Sequence, residues 1–177
     1  MSAPAVFFDR DGTLMEEAHY CGDPAQVRVY AGVSAGLGKL KRAGFRTFIV
    51  SNQSGIGRGS IAEEQYRAVQ AELLSQIGED LIDDSYFCPD APGTPPTRRK
   101  PEPAMLFEAA AEHDIDLAAS YMVGDKAADV ECGRRAGVKT ILVLTGYGRE
   151  QDCVPDYRVA DVAAAIRTVL GRLTGER

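Results

Sequence analysis

The sequence has no apolar run that approaches the roughly 20 residues that a helix needs to cross a bilayer. The stretch from Met1 to Asp9 carries no basic residue ahead of its apolar part, so it is not typical of a secretory signal. The four cysteines are far apart and include no C-x-x-C pair, which favours neither a disulfide framework nor a redox pair. From these absences we expect a cytoplasmic protein with no membrane contact.

Positive charge is also scarce, because 20 lysines and arginines accompany 26 aspartates and glutamates and leave a net charge of −6. A negative protein repels phosphate backbones on average, so broad nucleic-acid binding is not expected. With 45% hydrophobic residues and no linker or repeat, the chain predicts one soluble globular domain over residues 1–177. We expect this domain to act as a monomer.

Short apolar runs alternate with helical patterns along the chain. The runs are rich in β-branched and aromatic residues and too short for helices, as buried parallel strands are: residues 6–8, 47–50, 85–87, 121–123 and 140–144. Helices are predicted over residues 33–43, 61–77, 103–113, 126–136 and 161–173. This alternation predicts an α/β fold, a Rossmann-like doubly wound parallel sheet with helices on both faces. The segments that follow Asp11 and Ser51 each fit one helix, which leaves room for a minimal cap domain or none.

Two acids follow the first predicted strand, in the sequence Asp9-Arg10-Asp11-Gly12-Thr13. Carboxylates two residues apart in irregular backbone can face one ligand, which suits phosphoryl transfer. Asp9 would then attack phosphorus and form an aspartyl phosphate, while Asp11 protonates the leaving oxygen and later activates water. Asp and Gly are also common turn formers, so the motif alone is equally consistent with a simple turn.

Further polar segments follow later strands, and the carboxyl ends of parallel strands meet at the ligand-binding edge of such a sheet. The segment that starts at Ser51 offers hydroxyl, amide and backbone N–H groups to phosphate oxygens, and Lys100 offers a positive charge. Asp125 follows the fourth strand, with Asp129 one helical turn later. Asp129 has two interpretations: support for the site, or a helix N-terminal charge that the dipole favours. Taken alone, the segment at Ser51 is better explained as a solvated loop, and the cations at 98–100 are better explained as a solvated basic patch.

Carboxylates gathered at one sheet edge would repel one another and raise one another's pKa values. A divalent cation removes this conflict, and Mg²⁺ prefers a few carboxylate oxygens with water and substrate phosphate as its other ligands. We therefore assign Mg²⁺ to Asp9, the backbone carbonyl of Asp11, and Asp125. The metal would also shield the incoming phosphate from the carboxylate nucleophile.

Together these motifs resemble those of the haloacid dehalogenase superfamily of phosphatases, and they span most of the chain. The matching residues are Asp9-x-Asp11-Gly12-Thr13, Ser51, Lys100 and Gly124-Asp125-x-x-x-Asp129. The resemblance implies Asp9 as nucleophile and Asp11 as general acid/base. It implies Ser51 and Lys100 as groups that stabilise the phosphoryl group, and Asp125 as the magnesium ligand late in the chain.

Within that superfamily the chain is similar to the heptose-bisphosphate and histidinol-phosphate phosphatases. The similar segments are residues 8–13, 51–59, 99–101 and 121–126. The similarity implies removal of the 7-phosphate from D-glycero-D-manno-heptose 1,7-bisphosphate. It also implies a set of substrate-binding residues: Glu17, His19, Tyr20, Asn52, Gln53, Ser54, Arg99 and Lys126. His19 departs from the pattern, since this group usually has glycine there.

The loop before Lys100 departs further from this group, which commonly holds a structural zinc there with Cys-x-His and Cys-x-Cys. Here the corresponding residues are Cys88-Pro89-Asp90 and Pro96-Thr97-Arg98, so only one thiol ligand is present. Because structural zinc takes four nitrogen or sulfur ligands, we expect no structural Zn²⁺. The changed loop also supplies Arg98 and Arg99, which suggests a change in substrate preference.

Two other functions remain open from the sequence. The same residues suit a histidinol-phosphate or other small-metabolite phosphatase. A phospho-accepting receiver domain also gathers acids, a hydroxyl residue and a lysine around magnesium on a parallel sheet. Receivers place the accepting aspartate on a middle strand, whereas here the middle strand ends in Ser51, and Asp125 comes after the lysine. That order favours an enzyme whose partner is a small phosphorylated sugar or metabolite.

Overall fold

The computed structural model describes residues 2–95 and 98–173, whose six strands form one parallel sheet in the order β3-β2-β1-β4-β5-β6. The strands are β1 Ala5–Phe8, β2 Arg46–Asn52, β3 Asp84–Cys88, β4 Tyr121–Gly124, β5 Lys139–Val143 and β6 Tyr157–Val159. β1 pairs with β2 on one side and with β4 on the other, so the strand order reverses at β1. Ligands of open α/β sheets bind at such a reversal, beyond the carboxyl ends of the strands.

Helices cover both faces of the sheet, as the alternation predicts. They are α1 Val33–Arg42, α2 Ser54–Gly57, α3 Glu63–Ile77, α4 Ala104–His113, α5 Ala127–Ala136 and α6 Val162–Leu173. α1, α3 and α6 pack on one face, and α4 and α5 pack on the other, so a hydrophobic core lies on each side. Successive residues of β1 point into opposite cores: Val6 and Phe8 into the first, Ala5 and Phe7 into the second.

Few secondary-structure elements lie between the first three strands. One 3₁₀ turn and α1 separate β1 from β2, while α2, α3 and a second 3₁₀ turn separate β2 from β3. The described residues therefore hold no cap domain, which confirms that prediction for this part of the chain. None of their helices combines the length and apolarity that crossing a membrane requires.

Candidate active site

Loops at the carboxyl edge of the sheet bring the predicted catalytic acids together. Asp9 directly follows β1, where its backbone N–H donates to the Val123 carbonyl of β4 at 2.9 Å. Ser51 lies near the end of β2, and Asp125 directly follows β4. All three side chains are buried, with Asp9 6% and Asp125 0% exposed. This edge therefore holds several carboxylates in a place that water barely reaches.

Lys100 enters the site from a loop that is distant in sequence. Its ammonium group donates at 2.7 Å to each of three oxygens: Asp9 Oδ1, Asp129 Oδ1 and the Val50 carbonyl. Asn52 anchors the lysine backbone through two hydrogen bonds, from Asn52 Nδ2 to the Lys100 carbonyl at 3.0 Å and from the Lys100 N–H to Asn52 Oδ1 at 2.9 Å. Burial alone would lower the pKa of Lys100, but Asp129 and Asp9 outweigh it and raise the pKa above its ordinary value. Lys100 is therefore a fixed cation.

The two predicted carboxylate ligands of the metal differ in their protonation. Burial alone would raise the pKa of Asp9, but Lys100 and Lys126 outweigh it and hold the pKa below its ordinary value. Burial raises the pKa of Asp125 to about 8, and the charges of Asp9 and Asp129 act in the same direction. Asp9 is therefore ionised at neutral pH, whereas no cation among residues 2–95 and 98–173 lies at hydrogen-bonding distance of Asp125 to stabilise its charge.

A divalent cation fits this arrangement. The carboxylates of Asp9, Asp125 and Asp129 each place an oxygen within 4.8 Å of the others. Asp129 already uses both oxygens, since Oδ1 contacts Lys100 and Oδ2 accepts the Lys126 N–H at 3.0 Å. Asp125 Oδ2 accepts one backbone N–H, but its buried Oδ1 has no hydrogen-bond partner among the described residues. The unpartnered buried oxygen of Asp125 and the neighbouring carboxylate of Asp9 are therefore a suitable pair of ligands for Mg²⁺.

Two glycines make room for the Asp125 carboxylate. Gly12 and Gly146 have φ angles of 80° and 53°, in the left-handed region that glycine adopts without strain. A Cβ atom would lie 2.3 Å from Asp125 Oδ2 at Gly12 and 2.2 Å from the same oxygen at Gly146. Any larger residue would therefore collide with the carboxylate.

Asp11 belongs to a second network, which also contains Arg10, Ser51 and Gln53. The Arg10 guanidinium donates to Asp11 Oδ2 at 3.0 Å and to Asp11 Oδ1 at 3.1 Å. Gln53 Nε2 donates to Asp11 Oδ2 at 2.9 Å and to Ser51 Oγ at 2.6 Å, and its Oε1 accepts from Arg10 at 3.3 Å. Arg10 and Gln53 therefore hold the Asp11 carboxylate and the Ser51 hydroxyl in fixed positions. The predicted contact between Gln53 and substrate stays a prediction.

A cavity of about 240 Å³ opens beside these networks. All eight predicted substrate-binding residues line it: Glu17, His19, Tyr20, Asn52, Gln53, Ser54, Arg99 and Lys126. Asp11, Lys100 and Tyr147 line it as well. The cationic side chains on its wall attract a negatively charged ligand, and this attraction opposes the repulsion from the nearby catalytic carboxylates.

The loop between β3 and α4 contributes Arg99 to the cavity but not Arg98. Arg98 pairs with Glu108 of α4 and donates to the Phe87 carbonyl at 2.9 Å. The expectation that this loop changes substrate preference stays a prediction. The Cys88 thiol donates to Asp90 Oδ2 at 3.5 Å. Pro96 and Thr97, which enter the zinc prediction, lie outside the described residues.

Three residues of the site have no assigned role in the sequence-based predictions. The spacing of Asp129 from Asp125 left its role open, and the structure places it on Lys100. Arg10 stands between the two acids, and nothing in its position indicates that it is buried. Tyr147 comes after the fifth strand, just as the predicted site residues follow theirs, and this signal could have identified it.

Comparisons with known proteins agree with this fold. A haloacid dehalogenase (HAD)-hydrolase-like family model matches residues 97–169. A D-glycero-D-manno-heptose-1,7-bisphosphate 7-phosphatase of Thermosynechococcus vestitus is 36% identical over a gapped alignment of 193 positions that covers 98% of each chain. The chain belongs to the haloacid dehalogenase superfamily of phosphatases, which are phosphoric monoester hydrolases. It is therefore an enzyme and not a receiver domain.

Relatives named as heptose-bisphosphate phosphatases recur in these comparisons. The D-glycero-beta-D-manno-heptose-1,7-bisphosphate 7-phosphatase of Yersinia pestis is 40% identical over a gapped alignment of 182 positions, which covers 94% of this chain and 96% of its own. The crystal structure of D,D-heptose 1,7-bisphosphate phosphatase from B. bronchiseptica, complexed with magnesium and phosphate, superposes with a TM-score of 0.87. It shares 27% identity and covers 96% of this chain and 99% of its own.

Proposed function

We propose that this enzyme removes the 7-phosphate from D-glycero-D-manno-heptose 1,7-bisphosphate in a Mg²⁺-dependent reaction through an aspartyl phosphate. The observation that carries the proposal is the pairing of Asp9 with Lys100, beside the unpartnered Oδ1 of Asp125. The relatives from T. vestitus and Y. pestis are named as phosphatases of this bisphosphate, which supports the choice of substrate.

Asp9 has the properties that a nucleophile needs. Its pKa lies below the ordinary value because Lys100 and Lys126 outweigh the effect of burial, so the carboxylate is ionised at neutral pH. Lys100 holds one Asp9 oxygen at 2.7 Å, which restricts the rotation of the carboxylate. Asp9 attacks phosphorus, and the leaving oxygen departs on the opposite side.

Ser51 and Asp11 act on the other oxygens of the phosphate. Because Ser51 Oγ accepts a hydrogen bond from Gln53 Nε2, its own hydrogen is left to donate to a phosphoryl oxygen. Asp11 lines the cavity, where it protonates the leaving oxygen and then activates the water that hydrolyses the aspartyl phosphate. Arg10 and Gln53 hold its carboxylate throughout.

Asp9, Asp125 and the backbone carbonyl of Asp11 would hold Mg²⁺. The ion supplies positive charge that offsets the repulsion between these carboxylates and the phosphate dianion. The raised pKa of Asp125, to about 8, is consistent with a carboxylate whose counter-charge is a metal.

A bisphosphate also explains the cations that the reacting phosphate does not use. Lys100 is committed to the acids, while Arg99 and Lys126 lie on the cavity wall. These two side chains hold the phosphate group that is not transferred. They increase affinity for the bisphosphate over a monophosphate, because charge-assisted hydrogen bonds are stronger than neutral ones.

A phosphate-release assay with Mg²⁺ tests the proposal. The substrates are both anomers of the heptose 1,7-bisphosphate, histidinol phosphate and p-nitrophenyl phosphate, and one heptose anomer is expected to give the highest kcat/KM. Asp9→Asn should lower kcat by about a thousandfold or more, while circular dichroism shows an intact fold. Turnover that survives this substitution would refute Asp9 as the nucleophile, and a preference for histidinol phosphate would refute the substrate.

A further inference from the structure

We infer that Tyr147 is a substrate-positioning residue, which acts by holding Lys126 and His19 in place on one wall of the cavity. The inference rests on the function proposed above and names a residue that governs binding of the second phosphate. Four contacts between side chains and backbone close into a ring on that wall. They join Glu17 to His19, His19 to Tyr147, Tyr147 to Lys126, and Lys126 back to Glu17.

The backbone of Tyr147 is anchored independently of any substrate. Its N–H donates to Asp125 Oδ2 at 2.9 Å, and its carbonyl accepts from Gln151 Nε2 at 3.3 Å. Gln151 in turn accepts the Ala127 N–H at the start of α5, at 2.8 Å. The ring of Tyr147 is therefore a rigid support beside the acids, and the groups it contacts have a fixed reference point.

Lys126 is held from two sides. Its ammonium lies 4.9 Å from the centroid of the Tyr147 ring, within the range of a cation–π interaction, and 3.5 Å from Glu17 Oε2. A lysine side chain normally samples many rotamers, and ordering it costs conformational entropy. Because the ring and the carboxylate restrict the ammonium before substrate arrives, binding a phosphate there requires less ordering.

His19 completes the ring from an unusual backbone conformation. Its φ is 44° and that of Tyr20 is 57°, both in the left-handed region that residues with a Cβ rarely adopt. The His19 N–H donates to Glu17 Oε1 at 2.9 Å, and His19 Nδ1 lies 3.3 Å from the Tyr147 hydroxyl. Such strain persists where neighbouring contacts enforce it, and it is concentrated at functional sites. The contact with Tyr147 is what the strained conformation provides.

A double-mutant cycle tests this coupling. Tyr147→Phe removes only the hydroxyl, His19→Gly removes the imidazole at a φ that glycine accepts, and the third variant carries both changes. Each single change should raise KM for the heptose bisphosphate by about threefold to tenfold, with kcat unchanged, because one hydrogen bond is lost. The double variant should resemble either single one, since both remove the same contact. Tyr147→Leu, which also removes the ring, should raise KM further.

The KM values for two substrates distinguish a loss of substrate positioning from a general disturbance of the active site. KM for the bisphosphate should rise more than KM for p-nitrophenyl phosphate, which has no second phosphate. Tyr157→Phe is the matched control, because Tyr157 lies on β6 against Arg172 and outside the cavity lining. Additive effects in the cycle, an equal rise in both KM values, or a fall in kcat alone would each overturn the inference.

Failure of the proposed function gives a different result. In that case another ester of the panel has the highest kcat/KM, and the cycle is run with that ester. If its KM does not respond to Tyr147→Leu, the inference fails irrespective of the substrate. If its KM responds and the cycle is non-additive, Tyr147 positions that substrate instead.

Discussion

At the scale of single residues, Arg10 is the largest fully buried side chain of the described residues, at 0% exposure. Its guanidinium makes two hydrogen bonds to Asp11 and one to Gln53, and its Cζ lies 5.1 Å from the centroid of the Tyr66 ring. Nη1 has no hydrogen-bond partner in the part of the chain that the structure describes, so part of the desolvation cost is not recovered. An arginine kept in such a position is consistent with a role in holding the proposed general acid.

Arg10→Met should therefore affect both stability and catalysis. Removing one partner of a buried ion pair leaves Asp11 without its counter-charge, and we expect the free energy of unfolding to fall by about 3 kcal/mol. We also expect kcat to fall more than KM rises, because Asp11 loses its orientation. Urea unfolding and steady-state kinetics measure the two effects.

Arg67→Met is the matched control for this change. Arg67 pairs with Glu63 on the surface of α3, with side chains 66% and 46% exposed, and such pairs contribute about 0.5 kcal/mol or less. Equal stability losses in the two variants, or an Arg10→Met enzyme with unchanged kcat, would contradict the role assigned to Arg10.

At the scale of secondary-structure elements, Asp83 joins α1, β2 and β3 at the end of the sheet opposite the site. Its carboxylate contacts Lys41 Nζ at 2.7 Å and Arg46 Nη1 at 2.6 Å, and accepts the Thr47 N–H at 2.8 Å. Burial alone would raise the pKa of Asp83, but the hydrogen bonds from Lys41 and Thr47 outweigh it and lower the pKa. One charged group thus connects three elements of the fold.

Asp83→Asn should destabilise the protein by about 2 kcal/mol near neutral pH, because charge-assisted hydrogen bonds are lost. An acid whose folded-state pKa is lowered stabilises the fold above its unfolded pKa of 3.8, and this stabilisation is lost as pH falls through the folded-state pKa. The difference between wild type and variant should therefore shrink toward about pH 2. Urea unfolding at both pH values measures it.

Asp84→Asn is the control at the next position. The Asp84 side chain is 49% exposed, whereas that of Asp83 is 8% exposed, so a small and nearly pH-independent change is expected. A destabilisation by Asp83→Asn that is the same at both pH values would show that the charge of Asp83 does not matter.

At the scale of the whole molecule, metal binding should stabilise the fold in a pH-dependent way. In the metal-free protein the pKa of Asp125 is about 8 against 3.8 unfolded, so the folded state retains a proton that the unfolded state loses. Stability of the metal-free protein due to this group therefore falls as pH rises from about 4 to about 8, and is constant above that. Under the proposed function, Mg²⁺ would bind the ionised carboxylate and remove this penalty.

We therefore expect Mg²⁺ to raise the melting temperature more at about pH 8.5 than at about pH 6. At about one hundred times the dissociation constant the stabilisation is about 2.7 kcal/mol, or roughly 5–10 °C for a domain of this size. Thermal melts with Mg²⁺ and with EDTA measure the difference. Asp125→Asn should abolish most of it, and an unchanged shift in that variant would exclude Asp125 as a ligand.

The sequence by itself determined the strands and the edge at which the acids meet. Five strands were predictable because a buried parallel strand is a continuous apolar run, and parallel strands necessarily end on the same side. β6 and α2 were not predicted, because one is a three-residue edge strand with no fully buried side chain and the other is a single turn. The acids and Lys100 were predictable from their places after the strands.

Only the tertiary structure decided which partners these side chains have. Asn52 anchors the Lys100 backbone, Arg98 turns to Glu108, and Tyr147 joins His19 to Lys126. Each of these contacts joins residues that are separated in the sequence, and each side chain could have bonded to a different partner. Periodicity and spacing report the local backbone, whereas the choice of a hydrogen-bond partner depends on packing between elements, which local patterns do not encode.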